Sequence, residues 1–143
     1  MSHFPVVIHH HPDCGTSRNV LAIIEGAGYA PVVIDYLREG WTRPQLLALF
    51  AAAGLTARAA LRETKSPAAE LGLLDPGVSE DALIAAMIEH PILVNRPLVA
   101  TPKGIRLCRP SELVLDLLDR LPKGPFNKED GSPLIDAGGK RVA

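Results

Sequence analysis

A chain of 143 residues, of which 47% are hydrophobic and 22% are charged, is long enough to bury one core without metals or disulfides. Its formal net charge of −1 excludes a general attraction to nucleic acids or to acidic membrane surfaces, so any anion must be bound by a local group of cations. We therefore predict a single domain over residues 1–143 that binds neither nucleic acid nor membrane.

The cysteine content also bears on the compartment. Two cysteines, Cys14 and Cys108, are too few for a disulfide framework, and free thiols are typical of a reducing cytoplasm. The first residues lack the basic start and the longer apolar run of a signal peptide, and no apolar stretch is long enough to span a membrane. We therefore expect a cytoplasmic protein.

The first third of the chain has the pattern of a β-loop-α-β unit. Residues 5–9 form a short β-branched run that predicts a strand, and residues 31–36 predict a second one. Between them, Thr16 and Ser17 are candidate N-caps of a helix over residues 18–24. Such a unit normally gives two parallel strands joined by a right-handed crossover.

The middle of the chain predicts a helical insertion at about residues 40–90. Thr42 is the expected N-cap of a helix over residues 43–50, which Gly54 terminates. Short helices are predicted at 57–62 and 68–71. Ser79 then caps a helix over residues 80–89.

The last third predicts a β-hairpin, a helix and a polar tail. Residues 98–100 and 105–107 flank a Pro-Lys-Gly turn. Pro110 and Ser111 open a final helix, and residues 122–143 form a tail expected on the surface. The apolar face of that helix consists of Leu113, Val114, Leu117, Leu118 and Leu121.

The order βαβ, helices, ββα is that of a thioredoxin-like α/β fold with a mixed sheet and a helical insertion. Pro97 precedes a hairpin strand, where such folds carry a cis-proline beside the thiol site. The alternative is a trans proline on a strand edge.

Cys14 lies where the first strand meets the first helix. Free N–H groups at a helix start favour a thiolate and bind oxyanions, whereas the neighbouring Asp13 would oppose the thiolate if its side chain faced Cys14. The spacing Cys14-x-x-Ser17 excludes a self-contained dithiol, and Val20 stands where low-molecular-weight phosphatases require arginine. The alternative is a small buried cysteine beside a turn, and the local pattern favours neither interpretation.

Positive groups for an oxyanion are available in three loops. Arg62, Arg96 and Arg109 lie in or beside loops that this fold would bring toward the helix start. A guanidinium group matches a tetrahedral oxyanion and stays charged at any working pH. The alternative for each is an arginine exposed to solvent.

The consecutive histidines at 9–11 do not predict a metal site, because neighbouring side chains on a strand point to opposite faces. His10 is interpreted as a polar neighbour that helps to set the charge of Cys14. Cys108 is interpreted as a buried apolar thiol.

With these motifs the chain resembles the glutaredoxin-coupled arsenate reductases, the ArsC family. The similarity is collinear over nearly the whole chain. Its carrying segments are His10-x-Pro12-x-Cys14-Gly15-Thr16-Ser17-Arg18-Asn19, Arg58-x-x-Leu61-Arg62, His90-Pro91-Ile92-Leu93-Val94-Asn95-Arg96-Pro97, Arg106-Leu107-Cys108-Arg109-Pro110, and Lys128-Glu129-Asp130-Gly131 with Gly139-Lys140-Arg141.

This resemblance implies that Cys14 is the nucleophile that attacks arsenate and that His10 tunes its environment. The anion and its covalent adduct would be held by Arg62, Arg96 and Arg109. Glutathione would serve as co-substrate and glutaredoxin as partner, with no metal or prosthetic group. His11 departs from the family, which usually has asparagine there, so a hydrogen bond made by that asparagine is lost or replaced.

Two other functions remain as alternatives. One is a glutathione-dependent thiol reductase without arsenate specificity, which would not need three arginines around a dianion. The other is a regulator of this fold that binds RNA polymerase, although the redox-sensing members usually carry C-x-x-C and this chain has C-x-x-S.

Overall fold

The structure is a computed structural model that describes residues 3–143, and it contains two compact units. One unit is formed by residues 3–35 together with Arg96–Ala143, and the other by Tyr36–Asn95. The second unit corresponds approximately to the helical insertion predicted at about residues 40–90.

A four-stranded mixed sheet forms the centre of the first unit. Its strands are β1 (Val7–His10), β2 (Val32–Asp35), β3 (Leu98–Thr101) and β4 (Gly104–Leu107), in the order β2-β1-β3-β4. β1 and β2 are parallel, whereas β1–β3 and β3–β4 are antiparallel. The predicted parallel pair, the hairpin and the thioredoxin-like mixed sheet are therefore confirmed.

Helix α1 (Gly15–Gly26) connects the two parallel strands and begins earlier than the sequence predicts. Its N-cap residue is Cys14, in an extended conformation with φ −97° and ψ 120° and without a side-chain capping bond. The prediction that Thr16 or Ser17 caps this helix is wrong, because both residues lie inside it. The hydroxyl of Ser17 is fully buried and bonds to His10 instead of capping the helix.

The segment after β4 forms a 3₁₀ helix, Ser111–Leu117, so the predicted final helix begins where expected but is not an α-helix and ends before Leu118 and Leu121. Its backbone becomes extended at Leu118, which remains buried, while Leu121 is 41% exposed and is not part of an apolar face. This segment packs against α1 and completes the core of the first unit. The buried members of that core are Val6, Ile8, Val20, Ile23, Ile24, Ala27, Tyr29, Val99, Cys108, Val114, Leu115, Leu117, Leu118, Leu134 and Ile135.

The C-terminal segment is a small β-hairpin of β5 (Phe126–Asn127) and β6 (Pro133–Ile135) and not simply a surface tail. Leu134 and Ile135 are fully buried in the core. The ring of Phe126 packs on Gly26, where an added Cβ would lie only 2.6 Å from it. The sequence signal was weak because two or three strand residues between polar loops show no alternation.

The second unit is helical. It contains α2 (Tyr36–Glu39), α3 (Arg43–Ala53), α4 (Ala57–Ala60), α5 (Glu80–Glu89) and a 3₁₀ helix, Pro91–Leu93. Helix α5 contacts α3, α4 and this 3₁₀ helix. None of the helices within residues 3–143 is both long and apolar enough to cross a membrane.

The caps predicted for this unit are confirmed. Thr42 accepts from the backbone N–H of Gln45 in a capping box, and Gly54 ends α3 with a left-handed φ of 68°. Ser79 accepts from the N–H of Ala82 at the start of α5. The helix predicted at 68–71 is replaced by turns, because Gly72 adopts a left-handed φ of 72° after a single turn.

Candidate functional site

Cys14 occupies the junction of β1 and α1 that the sequence predicts. Its backbone N–H donates to the carbonyl of His11 at 3.1 Å, and its own carbonyl accepts from the N–H of Arg18 at 2.9 Å. The first bond closes the turn after β1 and the second opens the helix. The half-buried sulfur therefore lies at the end of α1 where unpaired N–H groups concentrate positive charge.

Two of the three predicted arginines contact this thiol. Nη1 of Arg109 donates to Sγ of Cys14 at 3.6 Å and to the carbonyl of Arg96 at 3.1 Å. The buried side chain of Arg96 also forms a hydrogen bond with the sulfur. The Arg96–Pro97 peptide bond is cis, which decides between the cis and trans alternatives that the sequence left open.

The surroundings of Cys14 lower the pKa of its thiol. Burial alone would raise this pKa, but it is outweighed by the backbone N–H of Ser17 and by the guanidinium groups of Arg96 and Arg109. Asp13, the opposing charge expected from the sequence, has an exposed side chain, where water and salt screen its effect. The site therefore stabilises the thiolate of Cys14 relative to that of an ordinary cysteine.

His10 is placed beside the site through Ser17. A hydrogen bond of 2.6 Å joins Nδ1 of His10 to Oγ of Ser17, and Oγ also accepts from the backbone N–H of His11 at 3.1 Å. Burial is the main cause that lowers the pKa of His10, with an opposing contribution from Asp35. Sequence reasoning missed Ser17 in this role because a serine in a first helical turn is the usual signal of a cap.

His11 makes a local hydrogen bond at the position where the family usually has asparagine. Its Nδ1 accepts from the backbone N–H of Asp13 at 3.2 Å. Its pKa is lowered by burial and then by the charge of Arg96, which favours the neutral ring that can accept this bond. An imidazole at this position thus supports the loop that leads to Cys14.

A second ionic contact lies close to the start of α1. Arg18 donates through Nε and Nη2 to the carboxylate of Glu129 at 2.9 and 3.2 Å, and through Nη1 to the carbonyl of Pro12 at 2.9 Å. Oδ1 of Asn19 accepts from the backbone N–H of Glu129 at 2.9 Å. Sequence reasoning placed these residues in motifs but missed their contact, because Arg18 and Glu129 are 111 positions apart.

Arg62 belongs to the second unit. It follows α4, its backbone N–H donates to the carbonyl of Leu93 at 2.8 Å, and its carbonyl accepts from the hydroxyl of Ser66. Its role as an anion ligand stays a prediction from the motif.

Cys108 is fully buried, and burial raises the pKa of its thiol to about 12. It therefore remains protonated at neutral pH and is not a second nucleophile. Within residues 3–143 no group of three or more His, Cys, Asp or Glu side chains is placed to hold a metal ion.

The fold and the site together define a thioredoxin-like protein with one activated cysteine at a helix start. The sequence model of the ArsC family matches residues 9–117, which is more than half of the chain. The chain belongs to the ArsC family.

Several named proteins are similar over nearly the whole length. Arsenate reductase ArsI2 of Synechocystis sp. is 68% identical over 137 residues, covering 96% of this chain and 98% of the relative. Arsenate reductase of Escherichia coli (strain K12) is 49% identical, with 96% and 97% covered. Among solved structures, arsenate reductase from Vibrio cholerae matches with a TM-score of 0.77 and 42% identity, covering 82% of this chain and all of that chain.

Proposed function

We propose that this protein is an arsenate reductase in which Cys14 is the nucleophile. The observation that carries the proposal is the hydrogen bond from Nη1 of Arg109 to Sγ of Cys14 at 3.6 Å, reinforced by Arg96. A disulfide reductase that accepts general substrates has no need of paired guanidinium groups at its sulfur. The similarity to named arsenate reductases over 96% of the chain supports arsenate as the anion.

The first step forms a sulfur–arsenic bond. The thiolate of Cys14 attacks arsenic, one As–O bond breaks, and that oxygen leaves as water after taking up protons, so arsenic remains in the +5 state. A thiolate and an arsenate dianion repel each other. Arg96, Arg109 and the N–H groups at the start of α1 offset this repulsion, since such preorganised donors stabilise negative charge in a partly desolvated site.

The reducing equivalents come from external thiols. The sulfur of glutathione displaces a second arsenic-bound oxygen as water, and a glutaredoxin thiolate then attacks that glutathione sulfur. The bond between arsenic and the glutathione sulfur breaks, and its electron pair stays on arsenic, which becomes +3. Glutathione and glutaredoxin leave as a mixed disulfide. Water finally hydrolyses the Cys14–arsenic bond and releases arsenite. The buried, protonated thiol of Cys108 supports this dependence on external thiols, and the scheme needs no metal or prosthetic group.

Two further parts of the proposal rest on sequence. Arg62 is assigned as a third anion ligand from the motif Arg58-x-x-Leu61-Arg62. We assign the protein to the cytoplasm because free thiols and a glutathione-dependent reaction both require a reducing compartment.

The direct test is to mix the purified protein with arsenate, glutathione and glutaredoxin and to measure arsenite. We expect Cys14→Ser to form no arsenite while its circular dichroism spectrum and thermal unfolding match the wild type. Cys108→Ala is the matched control and should retain turnover, because its thiol is buried and protonated. Turnover by Cys14→Ser would refute the proposal. Reduction of a glutathione mixed disulfide without any arsenite would favour the general thiol reductase.

A further inference from the structure

The turn between β5 and β6 holds the carboxylate of Glu129 near the start of α1, where it bonds to Arg18. Within this turn the N–H of Lys128 donates to the carbonyl of Ser132 at 2.9 Å, and the N–H of Gly131 donates to the carbonyl of Lys128 at 2.9 Å. Nζ of Lys128 also forms a partly buried ion pair of 2.6 Å with Glu112. Glu129 is therefore presented from a turn that holds its own shape and is anchored to the core through β6.

From this turn a continuous chain of hydrogen bonds leads to the loop before Cys14. The carboxylate of Glu129 accepts two bonds from Arg18, and the third nitrogen of the same guanidinium donates to the carbonyl of Pro12 at 2.9 Å. Asn19, the neighbour of Arg18 in α1, accepts from the backbone N–H of Glu129 and so holds the β5–β6 turn against α1. The planar guanidinium thus fixes the distance between the C-terminal turn and a carbonyl two residues before Cys14.

Neither a gain in folding stability nor a favourable charge at the anion site explains the presence of the Glu129 carboxylate. The side chains of Arg18 and Glu129 are 44% and 49% exposed, and exposed ion pairs contribute little to folding. A carboxylate near an anion site also reduces the positive potential that a thiolate and an oxyanion require. The remaining contribution of Glu129 is geometric, because it removes the rotational freedom of the Arg18 side chain.

We propose that Glu129 is a positioning residue for Cys14, acting through Arg18 and the carbonyl of Pro12 to hold the loop at residues 11–14. This inference rests on the proposed function where turnover is concerned. The loop carries both the sulfur and the Cys14 N–H that closes the turn onto His11. A displacement of about 1 Å at a reacting atom can change a rate by about 100-fold.

The test compares Glu129→Ala and Glu129→Gln with the wild type in three measurements. These are arsenate kcat and KM, the pH dependence of Cys14 alkylation by iodoacetamide, and amide hydrogen exchange of the peptide covering residues 11–15. Asp81→Ala is the matched control, since it removes another exposed ion pair, with Arg43 in the second unit.

We expect Glu129→Ala to lower kcat by about 10- to 100-fold with a smaller change in KM, and to speed exchange at residues 11–15. Alkylation should show a Cys14 pKa that is unchanged or lower, since a negative charge has been removed. The kcat and the exchange rate of Glu129→Gln should lie between those of the wild type and Glu129→Ala, because its amide oxygen still accepts one bond from Arg18. Asp81→Ala should change none of these measurements.

A kcat within twofold of the wild type, or unchanged exchange at residues 11–15, in Glu129→Ala would overturn the proposal. A raised Cys14 pKa that fully accounts for the lost turnover would also overturn it, since the effect would then be on ionisation and not on position. Failure of the wild type to reduce arsenate would refute the proposed function alone. The exchange experiment would still decide whether Glu129 holds the loop.

Discussion

Substitution of Arg109, which contacts Cys14, tests most directly how the site activates its thiol. Two unit charges 3.6 Å apart, at an effective dielectric constant of 20, attract each other by about 4.6 kcal/mol. Both side chains are partly exposed, so the net contribution should be closer to that of a hydrogen bond to a charged group, about 1.5–3 kcal/mol. For Arg109→Ala we therefore expect kcat/KM for arsenate to fall by about 10- to 150-fold.

The same substitution should raise the pKa of Cys14, because a cation that stabilises the thiolate is lost. The pH–rate profile of Cys14 alkylation should move to higher pH, and Arg109→Lys, which keeps the charge but not the planar fork, should lose less activity. Arg43→Ala is the control, since Arg43 pairs with Asp81 on the surface of the second unit. An equal loss in Arg43→Ala, or an alkylation profile that does not move in Arg109→Ala, would refute the reasoning.

Two further predictions concern folding. Burial is the main cause that lowers the pKa of each histidine at 9–11 from its ordinary 6.5, so the unfolded chain takes up protons first as the pH falls. The contribution of these neutral histidines to the free energy of unfolding should be fully present above about pH 6.5 and should decrease below it. A urea midpoint that is equal or higher at pH 5.5 than at pH 8 would contradict this. Ile135→Ala should cost about 2–5 kcal/mol in urea unfolding because the side chain is fully buried, whereas Leu121→Ala, at a site 41% exposed, should cost less than about 0.5 kcal/mol. Equal midpoints for these two variants would show that the C-terminal hairpin is not part of the core.

Local signals predicted the elements that depend on neighbouring residues. Thr42 and Ser79 cap their helices because a hydroxyl reaches an N–H only three residues away. The turn at 102–104 joins β3 to β4 as predicted. The position of Cys14 at a strand-to-helix junction follows from the same kind of short-range pattern.

The same local reasoning failed where a distant partner competed for a side chain. Ser17 has the sequence signature of a cap, yet its hydroxyl bonds to His10, seven residues earlier on β1. The final helix was predicted from its leucines, but its backbone becomes extended at Leu118, and Leu121 remains exposed. Both outcomes depend on contacts in the folded protein, which sequence periodicity does not report.

The sequence by itself determined the order of the elements, the cysteine at the helix start and the supply of arginines. Only the tertiary structure decided that Arg109 and Arg96 contact the sulfur, that Cys108 is buried, and that Glu129 bonds to Arg18. Elements follow from backbone and side-chain preferences over a few residues, whereas these contacts join residues 82 to 111 positions apart and exist only once the sheet, helix and hairpin have packed together.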